Sequence, residues 1–231
     1  MKILIFIQYF FYLYFNWNLN IALYILGTEI KGEKKYKIQT SGSDDLKKTE
    51  ATGIDISHAT VYMPANYLLL EELFKSLPKK GLSHFLDSGC GQGRALSVAA
   101  HHGFEKVTGI DFSEEFCSNA ELNLQQTQIQ FPSLQYSIIN QDALALDIPK
   151  DVDCIFFFNP FDQFVMTHVA AKILSSYKNN PRDIYILYIN PLYKNEFFQL
   201  GFNQIFYTSK LKYLEAVVLK KTAVKAKAQL I

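Results

Sequence analysis

The string Phe85-Leu86-Asp87-Ser88-Gly89-Cys90-Gly91-Gln92-Gly93-Arg94 restricts this chain more than any other ten residues do. Two apolar residues and an acid run into three alternate glycines, and a helical pattern from Gln92 to His102 follows. Glycine reaches left-handed dihedrals at no steric cost and lets a ligand lie against bare backbone. A strand, a tight turn and a helix N-terminus open to a nucleoside-bearing ligand are therefore expected here. A plain turn does not need three glycines.

The sequence around this turn alternates strand and helix patterns. After Pro64, Leu70, Leu73, Phe74 and Leu77 recur at helical spacing until Pro78 stops them. Strands are predicted at 84–89, 106–110, 135–139, 152–158 and 183–189, with helices at 92–102 and from Ser113 to about Gln126. A further helix carries Met166, Val169, Ile173 and Tyr177 on one face. Near the end, NQIFYTS and KYLEAVVLK lie close together, as in a hairpin rather than a crossover. The expected fold is α/β: a Rossmann-like, mostly parallel sheet with helices on both faces and an antiparallel C-terminal hairpin strand. Ligands of such sheets bind beyond the carboxyl ends of the strands.

Composition sharpens what is excluded. With 231 residues, 49% hydrophobic and 19% charged, the chain has enough apolar material for a full core. Lys plus Arg number 23 against 22 Asp plus Glu, a net charge of +1, so nucleic-acid binding is not indicated. Cys90, Cys117 and Cys154 are odd in number and far apart, which suits neither a disulfide scaffold nor a zinc site of short cysteine pairs. No metal ligand set is assigned, and a reducing compartment is the default.

Three segments are expected. Residues 1–28 form an apolar, aromatic-rich helical segment: nine of the first 24 residues are aromatic, and no acid or base other than tyrosine occurs from Ile3 to Thr28. The run is long enough to span a bilayer, yet Gln8, Asn16, Asn18 and Asn20 interrupt it and no small-x-small cleavage site follows. If it enters lipid, Lys31, Lys34, Lys35 and Lys37 outweigh Lys2 and keep the rest of the chain in the cytoplasm. Membrane association on the cytoplasmic side, self-association through residues 3–28 and packing on its own domain all remain open. Residues 29–57 read as a solvated, charged connector, residues 58–231 as the catalytic domain, and Lys220, Lys221, Lys225 and Lys227 as part of a frayed tail.

The dinucleotide pattern G-x-G-x-x-G fails, because Arg94 follows Gly93 and an acid precedes the turn. Asp-x-Gly-x-Gly-x-Gly instead resembles motif I of the class I S-adenosylmethionine-dependent methyltransferases, and Asp87, Gly89, Gly91 and Gly93 fill its fixed positions. The stretch from about His58 to Leu219 is similar to this superfamily, above all to bacterial members with an aromatic N-terminal helix and an Asn-Pro-Phe fourth-strand motif. The resemblance implies S-adenosyl-L-methionine as cofactor.

Further positions follow from that likeness. Asp111 ends the second predicted strand, where a carboxylate can accept hydrogen bonds from two ribose hydroxyls or simply cap the helix after it. Asp142 resembles the family's adenine-reading acid, with Asp147 as rival. Asn159-Pro160-Phe161 resembles the Asn/Asp-Pro-Pro-Tyr/Phe motif of amino-group methyltransferases with one proline fewer, which implies that these three residues place the acceptor. Tyr62 lies in a Tyr-x-Pro segment similar to the one that folds over the cofactor in Dot1-like and mitochondrial lysine-modifying methyltransferases.

The implied activity is S-adenosylmethionine-dependent methylation of nitrogen, on a protein lysine or a small-molecule amine. A second reading is a non-catalytic S-adenosylmethionine-binding module tethered through its N-terminus. A nicotinamide-dependent oxidoreductase comes third, disfavoured by Arg94.

Overall fold

The computed structural model describes residues 2–41, 63–145, 147–158, 161–212 and 214–223. Its first structural decision is made by asparagine. The apolar N-terminal run breaks at Trp17-Asn18 into two helices, α1 (Lys2–Asn16) and α2 (Leu19–Tyr36). Asn18 is extended, and its side chain accepts from the Ile21 amide at 3.0 Å, capping α2. Asn16 donates from Nδ2 to the Tyr12 carbonyl at 2.8 Å, folding its side chain back on the last turn of α1. The hairpin closes around Tyr9, Leu13, Ile21, Ala22 and Ile25. Among the described residues no helix is long and apolar enough to cross a membrane.

Helix α2 also overrides the expected boundary at residue 28. It continues through the lysine-rich stretch to Tyr36, and Thr28, Glu29, Gly32 and Tyr36 are buried. Residues 29–36 are thus helix rather than solvated connector, because one face of the charged segment is apolar or inward-paired at helical spacing. Gly32 is required there: a Cβ would lie 2.1 Å from the Tyr67 ring. Tyr36 stacks on Tyr67 with centroids 5.4 Å apart. The remainder of the expected connector, from residue 42 on, lies outside the described residues.

The sheet follows the alternation read from sequence. Strands β1 (His84–Ser88), β2 (Lys106–Asp111), β3 (Gln135–Asn140), β4 (Cys154–Phe158) and β5 (Ile184–Ile189) are parallel. The hairpin β6 (Asn203–Lys210) and β7 (Leu214–Lys221) completes the order β3-β2-β1-β4-β5-β7-β6, with β7 antiparallel to β5. Lys220 and Lys221 are the last residues of β7, not tail: Lys220 pairs with Asp183 at 2.7 Å and Lys221 donates to the Leu200 carbonyl at 2.6 Å. Lys225 and Lys227 lie outside the described residues.

Both faces of the sheet are covered, which explains why its central strands are apolar without alternation. On one face Phe85, Phe156, Leu187 and Val218 meet α3 (Tyr67–Ser76), α4 (Arg94–His101) and α5 (Glu114–Gln130) through Leu73, Leu96 and Leu124. On the other, Leu86, Ile155, Phe157 and Ile186 meet α6 (Gln163–Asn179) and α7 (Lys194–Gln199). All four residues of the anticipated α6 stripe, Met166, Val169, Ile173 and Tyr177, are buried. The short helix α7 was not foreseen; six residues give too little periodicity to reveal it.

Candidate functional site

The strand order reverses direction at β1, whose neighbours are β2 and β4, and the carboxyl edge at that point is where such sheets leave a crevice. The glycine turn occupies this edge. Gly89, Gly91 and Gly93 have φ of 85°, 50° and 79°, the left-handed region that disfavours side chains. The amides of Gly89 and Cys90 both donate to the Ile110 carbonyl at 2.9 Å, which ties the turn to β2. A Cβ on Gly93 would sit 3.1 Å from Ala120 Cβ, so α5 packs directly against the turn.

Two carboxylates face this turn from adjacent strands. Asp111, at the end of β2, accepts from Gly91 N–H at 2.8 Å through one oxygen and from Ser113 N–H at 3.0 Å through the other. Burial pushes it up to about 6, while those two amides hold it back. Asp87, only 3% exposed at the end of β1, is raised well above the ordinary carboxylate range by burial and then by the charge of Asp111. Its Oδ1 is buried with no hydrogen-bond partner among the described residues. A buried acid with a free acceptor needs a donor or a cation.

The other expected positions are placed unequally. Asp142 follows β3 by two residues, and the preceding Gln141 amide donates to the Asp111 carbonyl at 3.0 Å, so Asp142 stands at the same sheet edge. Its Oδ1 accepts from Leu144 N–H at 2.7 Å. Asp147 is fully exposed, with Lys172 3.9 Å away. Phe161 is only 8% exposed and belongs to the core on the α6 side, so its ring does not offer an open aromatic face. Asn159, Pro160 and Tyr62 lie outside the described residues.

Sequence reading missed the group that clamps the turn from outside. Arg94, the first residue of α4, is buried and sends Nη1 to Glu29 Oε1 and to the Ala65 carbonyl, both at 2.7 Å. Its Nη2 meets Glu29 Oε2, its Nε donates to Thr40 Oγ1 at 2.7 Å, and its guanidinium lies 4.1 Å from the centre of the Tyr67 ring. Glu29 itself is fully buried. Asn123 on α5 adds a second clasp: its Nδ2 donates to the carbonyls of Gln39 and Gln92, and its Oδ1 accepts from Gln39 N–H. The one available signal was Arg94 itself, an unexplained cation inside a glycine turn.

Residues 85–179 match the model of a family described as a methyltransferase domain. That span carries the glycine turn, and the match supports membership of the class I S-adenosylmethionine-dependent methyltransferase superfamily. Among solved structures, the domain of StiE O-MT comprising residues 961–1257 is 12% identical over 68% of this chain and 74% of that one, with a TM-score of 0.54. A protein from Listeria monocytogenes assigned as an S-adenosylmethionine-dependent methyltransferase is 15% identical over 66% and 96%, at 0.50. TehB from Haemophilus influenzae is 16% identical over 66% and 62%, also at 0.50. At such identities the likeness establishes the fold. No curated protein matches the chain at a significant level.

The cofactor of this methyltransferase domain is S-adenosylmethionine, and the site's donor and acceptor set fits it. The orphaned Asp87 oxygen suits an ammonium, the paired oxygens of Asp111 retain lone pairs for hydroxyl donors, and the glycines leave the turn without side chains.

Proposed function

We propose that this methyltransferase transfers its methyl group to a neutral nitrogen, on a protein lysine or a small-molecule amine. The supporting observation is positional. Parallel pairing sets Asp87 beside Phe156, so β4 ends at Phe158, one residue before the Asn159-Pro160-Phe161 motif in sequence, at the edge where the glycine turn begins. S-adenosylmethionine, when bound, supplies a methyl group on a sulfonium whose leaving group is a neutral thioether, so alignment is the main demand on the protein.

In this reading the backbone of Gly89, Gly91 and Gly93 admits the cofactor, and the Asp87 carboxylate accepts from its ammonium. Asp111 accepts from the ribose hydroxyls, and Asp142, two residues after β3, from the exocyclic amine. The side-chain carbonyl of Asn159 and the carbonyl fixed by Pro160 accept the protons of the incoming amine and direct its lone pair. Phe161 is buried in the core on the α6 side, so its ring is not offered to the substrate. The roles of Asn159, Pro160 and Tyr62 rest on motif resemblance.

A two-stage experiment tests this. Calorimetric titration with S-adenosylmethionine should show one site, and Gly91→Val should abolish binding while circular dichroism stays near native. Labelled methyl transfer to a panel of lysine peptides and amines should then accelerate as pH rises from about 6 to 9, because only the unprotonated nitrogen attacks. A flat profile with methyl transfer limiting would sink the nitrogen assignment. Binding without turnover on any acceptor would favour the tethered, non-catalytic module.

A further inference from the structure

The N-terminal hairpin has two unlike sides. Its inner side is committed: Thr28, Glu29, Gly32 and Tyr36 of α2 are buried against the domain. Its outer side is apolar and uncovered among the described residues. Leu4, Ile7, Phe11 and Phe15 are exposed along α1, Phe15 by 77%. Leu19, Leu23 and Ile30 are exposed along α2, and the groove between the helices is floored by Phe6, Phe10 and Leu26. Contiguous apolar surface of this kind marks an interaction site.

Charge decides what fits it. At 3.6 residues per turn, Leu19, Leu23, Ile30 and Lys34 fall within a sector of about 60° on α2, so the exposed stripe begins in leucine and ends in lysine. Lys31 flanks the stripe and Lys37 follows at the C-cap, both exposed. The only acids among residues 1–41 are Glu29 and Glu33. Glu29 is buried on Arg94, and Glu33 turns inward to accept the amides of Thr40 and Ser41 at 2.9 Å. From residues 2–41, a second copy paired through this face would bring no carboxylate to the lysines: a parallel pair sets Lys34 against Lys34, an antiparallel pair sets it against leucine. A surface of anionic phospholipid supplies both an apolar layer and, at its rim, negative charge.

We infer that the outer face of α1 and α2 docks in plane on an anionic bilayer surface, with its aromatic and leucine side chains at the acyl boundary and Lys31, Lys34 and Lys37 at the headgroups. The inference is independent of the acceptor proposed above.

Trp17 is the only tryptophan of the chain and sits 44% exposed at the bend of the hairpin, so its emission reports immersion directly. The full chain should co-sediment with vesicles containing about one-third phosphatidylserine, with a blue shift of Trp17, and should do so weakly with phosphatidylcholine alone. Raising salt from roughly 0.1 to 0.5 M should loosen the complex. The double variant Lys31→Glu, Lys34→Glu, altered only at exposed positions, should lower the partition coefficient at least about tenfold with circular dichroism unchanged. Phe11→Ser with Phe15→Ser should remove vesicle binding without disturbing the buried side of the hairpin.

Three results would each overturn the assignment: no vesicle binding, equal binding to neutral and anionic vesicles, or a stable dimer in sedimentation equilibrium whose Trp17 emission is already blue-shifted and unmoved by vesicles.

Discussion

Gly93 and Arg94 are neighbours in the chain, yet they separate two regions that treat buried charge in opposite ways. On the Arg94 side, the guanidinium and Glu29 exchange paired hydrogen bonds, and Thr40, Ser41 and the Ala65 carbonyl take up further valences. On the glycine side, burial and then the charge of Asp111 raise Asp87, and Asp87 Oδ1 has no partner among the described residues. The difference separates structure from function. A charge network closed by the protein holds the α1–α2 hairpin to the domain; one left open by the protein waits for a ligand.

The largest effect should come from breaking the closed side. Removing one partner of a buried ion pair strands the other without water, at a cost of about 3–5 kcal/mol. Glu29→Met and Arg94→Met should each lower the urea unfolding free energy by that order. The double variant, with two apolar side chains in place of two charges, should lie closer to wild type than either single one, because the stranded charge is gone. Strictly additive losses would show that the two residues act separately, against the paired geometry.

The open side predicts the reverse sign. Burial raises Asp87 above its unfolded value, so its contribution to folding is fullest below about pH 4 and is lost as pH rises through the folded value. At pH 7 the ligand-free protein therefore carries an unfavourable acid. Asp87→Asn should stabilise it there by about 1–3 kcal/mol while weakening S-adenosylmethionine binding. Thermal unfolding with and without cofactor reads both effects. If Asp87→Asn destabilised the ligand-free protein, the orphaned oxygen would have a partner after all.

This asymmetry also explains what the sequence could disclose. The glycine turn was legible because its chemistry is local: an acid, three positive-φ positions and a strand within ten residues. Ile184–Ile189 was legible as a buried strand because both its neighbours, β4 and β7, lie in a covered sheet and so every residue is apolar. Glu29 was not, since its partner is 65 residues away and a carboxylate among lysines looks solvated until the guanidinium is placed. Asn18 was seen as an interruption of a hydrophobic run, but whether an interruption is a cap depends on dihedrals, here φ −167°. The core position of Phe161 was hidden for a related reason: the motif gives residue type, and packing alone gives direction.

The smallest of the three effects concerns Asp111, which the protein satisfies only in part. Its two oxygens each accept one backbone amide, and burial still lifts it to about 6. Hydroxyl donors from a bound ribose favour the ionised form, so binding draws the proton off wherever the free site is protonated. Through Asp111, the dissociation constant for S-adenosylmethionine should rise roughly tenfold per unit below pH 6, with protons released on binding there. Titrations in two buffers of different ionisation enthalpy, repeated from about pH 5 to 8, measure both quantities. Asp111→Asn should flatten the profile and bind more weakly at pH 8. A pH profile that Asp111→Asn leaves unaltered would mean that the carboxylate keeps to its two amides and takes no part in holding the cofactor, leaving Asp87 as the acid that answers the ligand.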